Sequence, residues 1–160
     1  MTLLPPSASR ASIESEWPGA LAWATRHGWT ISLAASDLKM RAVTFHPAGG
    51  QPLEFTAELD GYRALPPVWR VVDPGTDIEA DRANFPSPGT SASIFHPNLV
   101  LCAPWNRLAY KSVDPRGPHE DWGGPEGWLT QGGTNTFAHT LGEMLSAIDV
   151  FLRHSPGMLE

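Results

Sequence analysis

At 160 residues the chain is the size of one domain with one core, long enough to bury about two thirds of its unfolded surface. A single cysteine excludes an internal disulfide framework and a multi-cysteine zinc site, and it fits a reducing, cytoplasmic setting. The formal net charge is −6 and the Lys and Arg residues are scattered singly, which argues against nucleic acid as a partner; no apolar run reaches membrane-spanning length and no signal-peptide pattern opens the chain.

Residues 1–11 read as a flexible leader to one domain over 12–156. Ile13, Trp17, Ala20, Leu21 and Ala24 recur at helical spacing, with Ser12 as an N-cap and Gly28 as a stop, and predict a first helix over 12–27. Pro18 then belongs to the early turns, where its missing backbone donor costs least. The runs WTISLAA (29–35), KMRAVTFHP (39–47) and PLEFTAEL (52–59) have strand length and are separated by turn residues, which predicts an antiparallel meander. PPVWRVVDP (66–74) adds a fourth strand, and its prolines either confine it to an edge position or lie outside the paired part. From Gly75 to Gly133 the chain is rich in Pro, Gly, Asp and Trp and has almost no periodicity, the mark of a functional loop region. Phe137, Leu141, Met144, Leu145, Ile148, Phe151 and Leu152 then define an amphipathic helix over 135–154. The class is α+β.

Six histidines raise the question of a metal, but they show no HxH or HExxH spacing, and neither a metal nor a cofactor is expected. Cys102 lies in HPNLVLCAPWNR, where Pro104 two residues later suits a turn and not a helix start. Its thiol is therefore expected at the edge of an antiparallel sheet, partly accessible, with a near-normal pKa of about 8.5. Such a thiol suits thioester exchange better than amide cleavage, although any of the histidines could approach it in space.

The ordered features resemble the ubiquitin-conjugating enzyme family: a helix, a four-stranded meander, Tyr62 with Pro66 and Pro67 at the start of the fourth strand, then His96-Pro97-Asn98 shortly before Cys102, a Trp-rich loop and an amphipathic helix. The resemblance covers about Ile13 to Pro156 and implies a UBC-like fold. It implies that Cys102 carries a ubiquitin-like modifier as a thioester, received from an activating-type enzyme and passed to a protein acceptor. By the same resemblance, Asn98 either steadies the loop or hydrogen-bonds an oxyanion. His96 is then a structural residue of the turn, and Tyr62, Pro66 and Pro67 shape the start of the strand. Only Leu99, Val100 and Leu101 separate Asn98 from Cys102, a shorter and less polar connection than in eukaryotic members. That departure, with APWN after the cysteine, is similar to the divergent bacterial branch, for which the family implies an antiviral defence setting.

An acceptor lysine must lose a proton before it attacks, and Asp114, Glu120 and Asp121 in the following loop are the candidate acidic helpers. Trp105, Trp122 and Trp128 either fill the core or form a protein-binding surface. Two rival functions stand beside the transferase. One is a catalytically silent adaptor with the same fold, against which the retained Cys102 counts; the other is an unrelated cysteine hydrolase.

Overall fold

Helix α1 (Pro6–His27) starts earlier than its apolar spacing predicts, because Pro5 and Pro6 begin it: Pro5 is extended at the N-cap and Pro6 stands in the first turn, where no backbone donor is required. The computed structural model describes residues 5–34, 36–90, 92–131 and 137–160. Of the expected flexible leader, residues 6–11 are therefore helical, and Met1–Leu4 lie outside the described residues. Pro18 consequently falls inside the helix instead of in its early turns. The carbonyl one turn before it loses its helical partner, a local cost offset by the buried stripe Ser9, Ile13, Ala20 and Ala24. Gly28 ends the helix in the left-handed conformation at φ 75°, as its position predicts.

The meander follows as expected, with slightly shorter strands: β1 (Thr30–Ala34), β2 (Lys39–Phe45), β3 (Pro52–Glu58) and β4 (Val68–Val72) pair antiparallel in sequence order. Ala35, at the end of the expected first strand, lies outside the described residues. Ile31, Ala42, Phe55 and Val71 sit opposite one another across the sheet and form one continuous buried row. The other face is polar, with Arg41 bonded to Glu54 at 2.6 Å and Arg70 to Glu58 at 2.7 Å. Among the four strands β4 pairs only with β3, and Val72 adds one antiparallel bridge to Glu79 on its outer side; the flanking prolines Pro66, Pro67 and Pro74 lie outside the paired part.

Helix α2 (Leu141–Arg153) begins later than the expected 135–154, of which Asn135 and Thr136 lie outside the described residues. Thr140 and Glu143 decide the boundary: the Thr140 hydroxyl accepts from the Glu143 N–H at 3.2 Å, the first half of a capping box, so Phe137 precedes the helix and is exposed. α2 buries Leu141, Met144, Leu145, Ile148 and Leu152 in the core shared with α1 and the sheet, and the Trp69 indole N–H donates to the Met144 sulfur at 3.4 Å. Gly142 faces Ala20 of α1, where a Cβ would make an ordinary contact at 3.5 Å from the Ala20 Cα. Among the described residues, no helix is long and apolar enough to cross a membrane.

The segment without periodicity holds short elements fastened to β4. A two-residue hairpin, β5 (Phe95–His96) with β6 (Val100–Leu101), is joined by Val100 to a small apolar cluster with Val68 and Leu108. Asn106 fixes the same junction from a fully buried position. Its Oδ1 accepts from the N–H groups of Trp69 at 2.9 Å and Leu108 at 3.3 Å, and its Nδ2 donates to the Leu101 carbonyl at 2.9 Å. Asn106→Ala strands these backbone groups away from water and is expected to cost about 2–3 kcal/mol, measured as a lowered urea midpoint at unchanged slope.

Candidate active site

Tyr62, Pro66 and Pro67 lie in the turn and extended segment that lead into β4. The Tyr62 ring is buried, its hydroxyl donates to Glu16 Oε1 at 2.8 Å, and Glu16 in turn accepts from the Leu141 N–H at 2.7 Å, so one carboxylate ties α1 to the start of α2. Arg107 donates from Nε to the Pro66 carbonyl at 3.0 Å and from its backbone N–H to the Pro67 carbonyl at 2.9 Å. The chain just after the cysteine is thereby bolted to the start of β4.

His96, Pro97 and Asn98 form the tip of the β5–β6 hairpin. The His96 Nδ1 accepts from the Asn98 N–H at 3.1 Å, and Leu99 completes the reversal with a positive φ of 66°. Burial first, and the charge of His119 second, hold the His96 imidazole below its ordinary pKa. His96 is therefore a neutral turn residue. The Asn98 amide donates to the Arg116 carbonyl at 3.4 Å, the geometry of a loop brace. With that role, Asn98→Ala should shift stability by no more than about 0.5 kcal/mol, read as the urea midpoint.

Cys102 continues the pairing of β6 by one residue, its N–H donating to the Ile94 carbonyl at 2.6 Å, and a turn follows it. It is partly buried at the edge of a small antiparallel pair, away from any helix N-terminus, as expected. Its proton affinity departs from expectation: burial first, and the Asp121 charge second, push the thiol up to about 11.

The decisive neighbour comes from the loop. The chain around His119 runs parallel to that around Tyr110: the His119 N–H donates to the Ala109 carbonyl at 3.2 Å and the Lys111 N–H to the His119 carbonyl at 3.1 Å. Tyr110 is held in turn by its hydroxyl, which donates to the Pro104 carbonyl at 2.7 Å, two residues past the cysteine. This frame brings His119 Nε2 to 3.2 Å from the Cys102 sulfur. On the other side of the ring, Nδ1 lies 3.1 Å from Asp121 Oδ1. An ionised carboxylate only accepts, so Nδ1 carries the proton and Nε2 is free to accept from the thiol. Trp122 stacks flat on the imidazole, centroids 3.6 Å apart and planes 2° from parallel, and meets Tyr110 edge-on at 5.4 Å.

The three candidate acidic residues separate. Asp114 is engaged with Arg116, accepting from its backbone N–H at 2.8 Å and its Nε at 3.2 Å, which holds the carboxyl below its ordinary range. Glu120 lines an open cavity with Lys111, Ser112 and Gly123. Asp121 alone touches the histidine that touches the cysteine. The tryptophans separate too: Trp105 and Trp128 are core, whereas Trp122 is only partly buried and belongs to the site.

The chain matches no family model, no curated protein and no solved structure. The chemistry is therefore argued from the side chains themselves. Cys102, His119 and Asp121 line up as a thiol, an imidazole and a carboxylate, an arrangement that can activate a thiol for acyl transfer. Among the described residues, no cluster of three His, Cys, Asp or Glu suited to a metal ion is present. His119 carries a signal that sequence reasoning missed: it is the only one of the six histidines with an acidic residue within the next two positions.

Proposed function

We propose that the protein is a ubiquitin-conjugating-enzyme-like transferase, which receives a ubiquitin-like modifier on Cys102 from an activating-type enzyme and passes it to a protein acceptor. The observation that carries this reading is the Cys102 sulfur 3.2 Å from His119 Nε2, just after an HPN hairpin that forms its own two-stranded sheet and packs through Val100 against Val68 of β4. In loading, sulfur attacks the incoming thioester carbonyl while its proton moves to Nε2. Asp121 at Nδ1 and the face of Trp122 both favour the imidazolium that results. The exchange of one thioester for another is close to neutral in energy, so a base that removes the proton during attack suffices. The supporting order of elements is helix, meander, hairpin, cysteine, helix.

The aligned Cys–His–Asp set also favours a second reading, a cysteine hydrolase of small esters or amides. A silent adaptor is disfavoured, since binding alone has no use for the alignment. One experiment separates the readings: incubation with an activating enzyme, its ubiquitin-like protein and ATP, followed by non-reducing electrophoresis. The transferase yields a reductant-sensitive adduct that Cys102→Ala lacks. The hydrolase yields none but turns over p-nitrophenyl acetate repeatedly without a partner, and the adaptor does neither.

A further inference from the structure

We propose that the acyl group on Cys102 is passed to a hydroxyl oxygen, with His119 taking the hydroxyl proton and returning it to the cysteine sulfur. The inference rests on the reading of Cys102 as the acyl carrier and adds the chemical class of the acceptor. An amine, once its ammonium proton is lost, attacks a thioester unaided, and a carboxylate near its path is help enough. An alcohol or a water molecule is already neutral but a poor nucleophile. It needs a base that removes its proton while the carbon–oxygen bond forms, a contribution of about 10²–10⁴-fold in rate.

The site supplies that base at the required place. The acyl carbon is bonded to the Cys102 sulfur, and His119 Nε2, 3.2 Å from that sulfur, no longer has a thiol proton to accept once the thioester has formed. It is then a proton acceptor at the sulfur that bears the carbonyl, within reach of a group approaching it. The hydroxyl oxygen bonds to the carbonyl carbon, its proton passes to Nε2, the carbon–sulfur bond breaks, and Nε2–H protonates the departing sulfur. The products are an ester, or a carboxylic acid when the acceptor is water, and the free Cys102 thiol. No oxidant or further reactant is consumed.

The leaving step needs the same proton. A thiol pushed up to about 11 is a reluctant leaving group as thiolate, and an imidazolium in contact with the sulfur removes that handicap. Asp121 keeps the neutral ring in the tautomer with Nε2 free, and the flat Trp122 stack favours the charged ring between the two transfers. Asp114, tied to Arg116, supplies no competing base.

The test uses the full chain acetylated with S-phenyl thioacetate, with His119→Gln loaded at alkaline pH, where its thiol ionises without a base. Loaded protein is chased at neutral pH with glycerol, with butylamine, or with isotopically labelled water alone, and acetyl loss from Cys102 is followed by intact mass. In wild type, glycerol is expected to give acetylglycerol. In His119→Gln that product should fall by about 10²-fold or more, while formation of N-butylacetamide changes little. Labelled acetate in place of acetylglycerol identifies water as the hydroxyl source. Amide formation that outruns both oxygen products in wild type, or equal glycerol discharge by wild type and His119→Gln with matching melting curves, overturns the proposal. Failure of wild-type Cys102 to become acetylated at all instead overturns the carrier reading beneath it.

Discussion

Cys102→Ser is expected to eliminate the reductant-sensitive adduct entirely while leaving the melting temperature almost unchanged. The exchange of sulfur for oxygen alters volume little, and the hydroxyl can still donate to His119 Nε2, so no buried group is left without a partner. Chemistry is where the two differ. Any modifier captured by the serine is held as an oxyester, which resists thiol reductants and discharges more slowly than a thioester. Non-reducing and reducing gels of the same reaction check this: an adduct in the serine variant that reductant still removes would mean that Cys102 is not the carrier. Cys102→Ala should form neither adduct. A urea midpoint that falls sharply in the serine variant would instead give the cysteine a packing role.

The parts of this architecture that were legible in the sequence are those governed by a local repeat. β1 and β2 alternate buried and more exposed positions, β3 is buried throughout Leu53–Ala57, and all three lie between turn residues, so their limits follow within a residue or two. The core stripe of α1 was equally plain, but its start was not, because Pro5-Pro6 reads as leader unless the proline is recognised as a first-turn residue. The start of α2 was misplaced for a similar reason. Apolar spacing extends back to Phe137, whereas the Thr140 cap with Glu143 three positions later sets the boundary. Cys102 and the HPN turn were visible because they are contiguous. The base was hidden because nothing local connects it to the nucleophile. Cys102 and His119 are 17 positions apart in a proline- and glycine-rich stretch, and they meet through two backbone hydrogen bonds beside Tyr110 that leave no periodic trace. The raised thiol pKa was equally out of reach, since it depends on how deeply the cysteine is buried and on how close Asp121 comes.

His119→Ala is expected to slow loading of Cys102 at neutral pH by about 10²–10³-fold, and the pH dependence of that loss identifies its cause. With the thiol pushed up to about 11, only about 10⁻⁴ of it is ionised at pH 7, so an unassisted cysteine has almost no nucleophile to offer. In the proposed mechanism the wild type passes the proton to Nε2 during attack, so its rate should depend far less on pH on the alkaline side. The alanine variant must wait for hydroxide to ionise the thiol, so its rate should climb about tenfold per pH unit up to the thiol pKa and approach wild type on the alkaline side. Asp121→Asn should fall between the two. An amide that donates its N–H to Nδ1 selects the tautomer with the proton on Nε2, the wrong one for a base. The Asp121 side chain is 77% exposed, however, so water can take its place and soften the loss. A rate measured from neutral to alkaline pH for the three proteins distinguishes these mechanisms. Parallel profiles for wild type and His119→Ala, offset or not, would show that the imidazole supports the shape of the site and carries no proton.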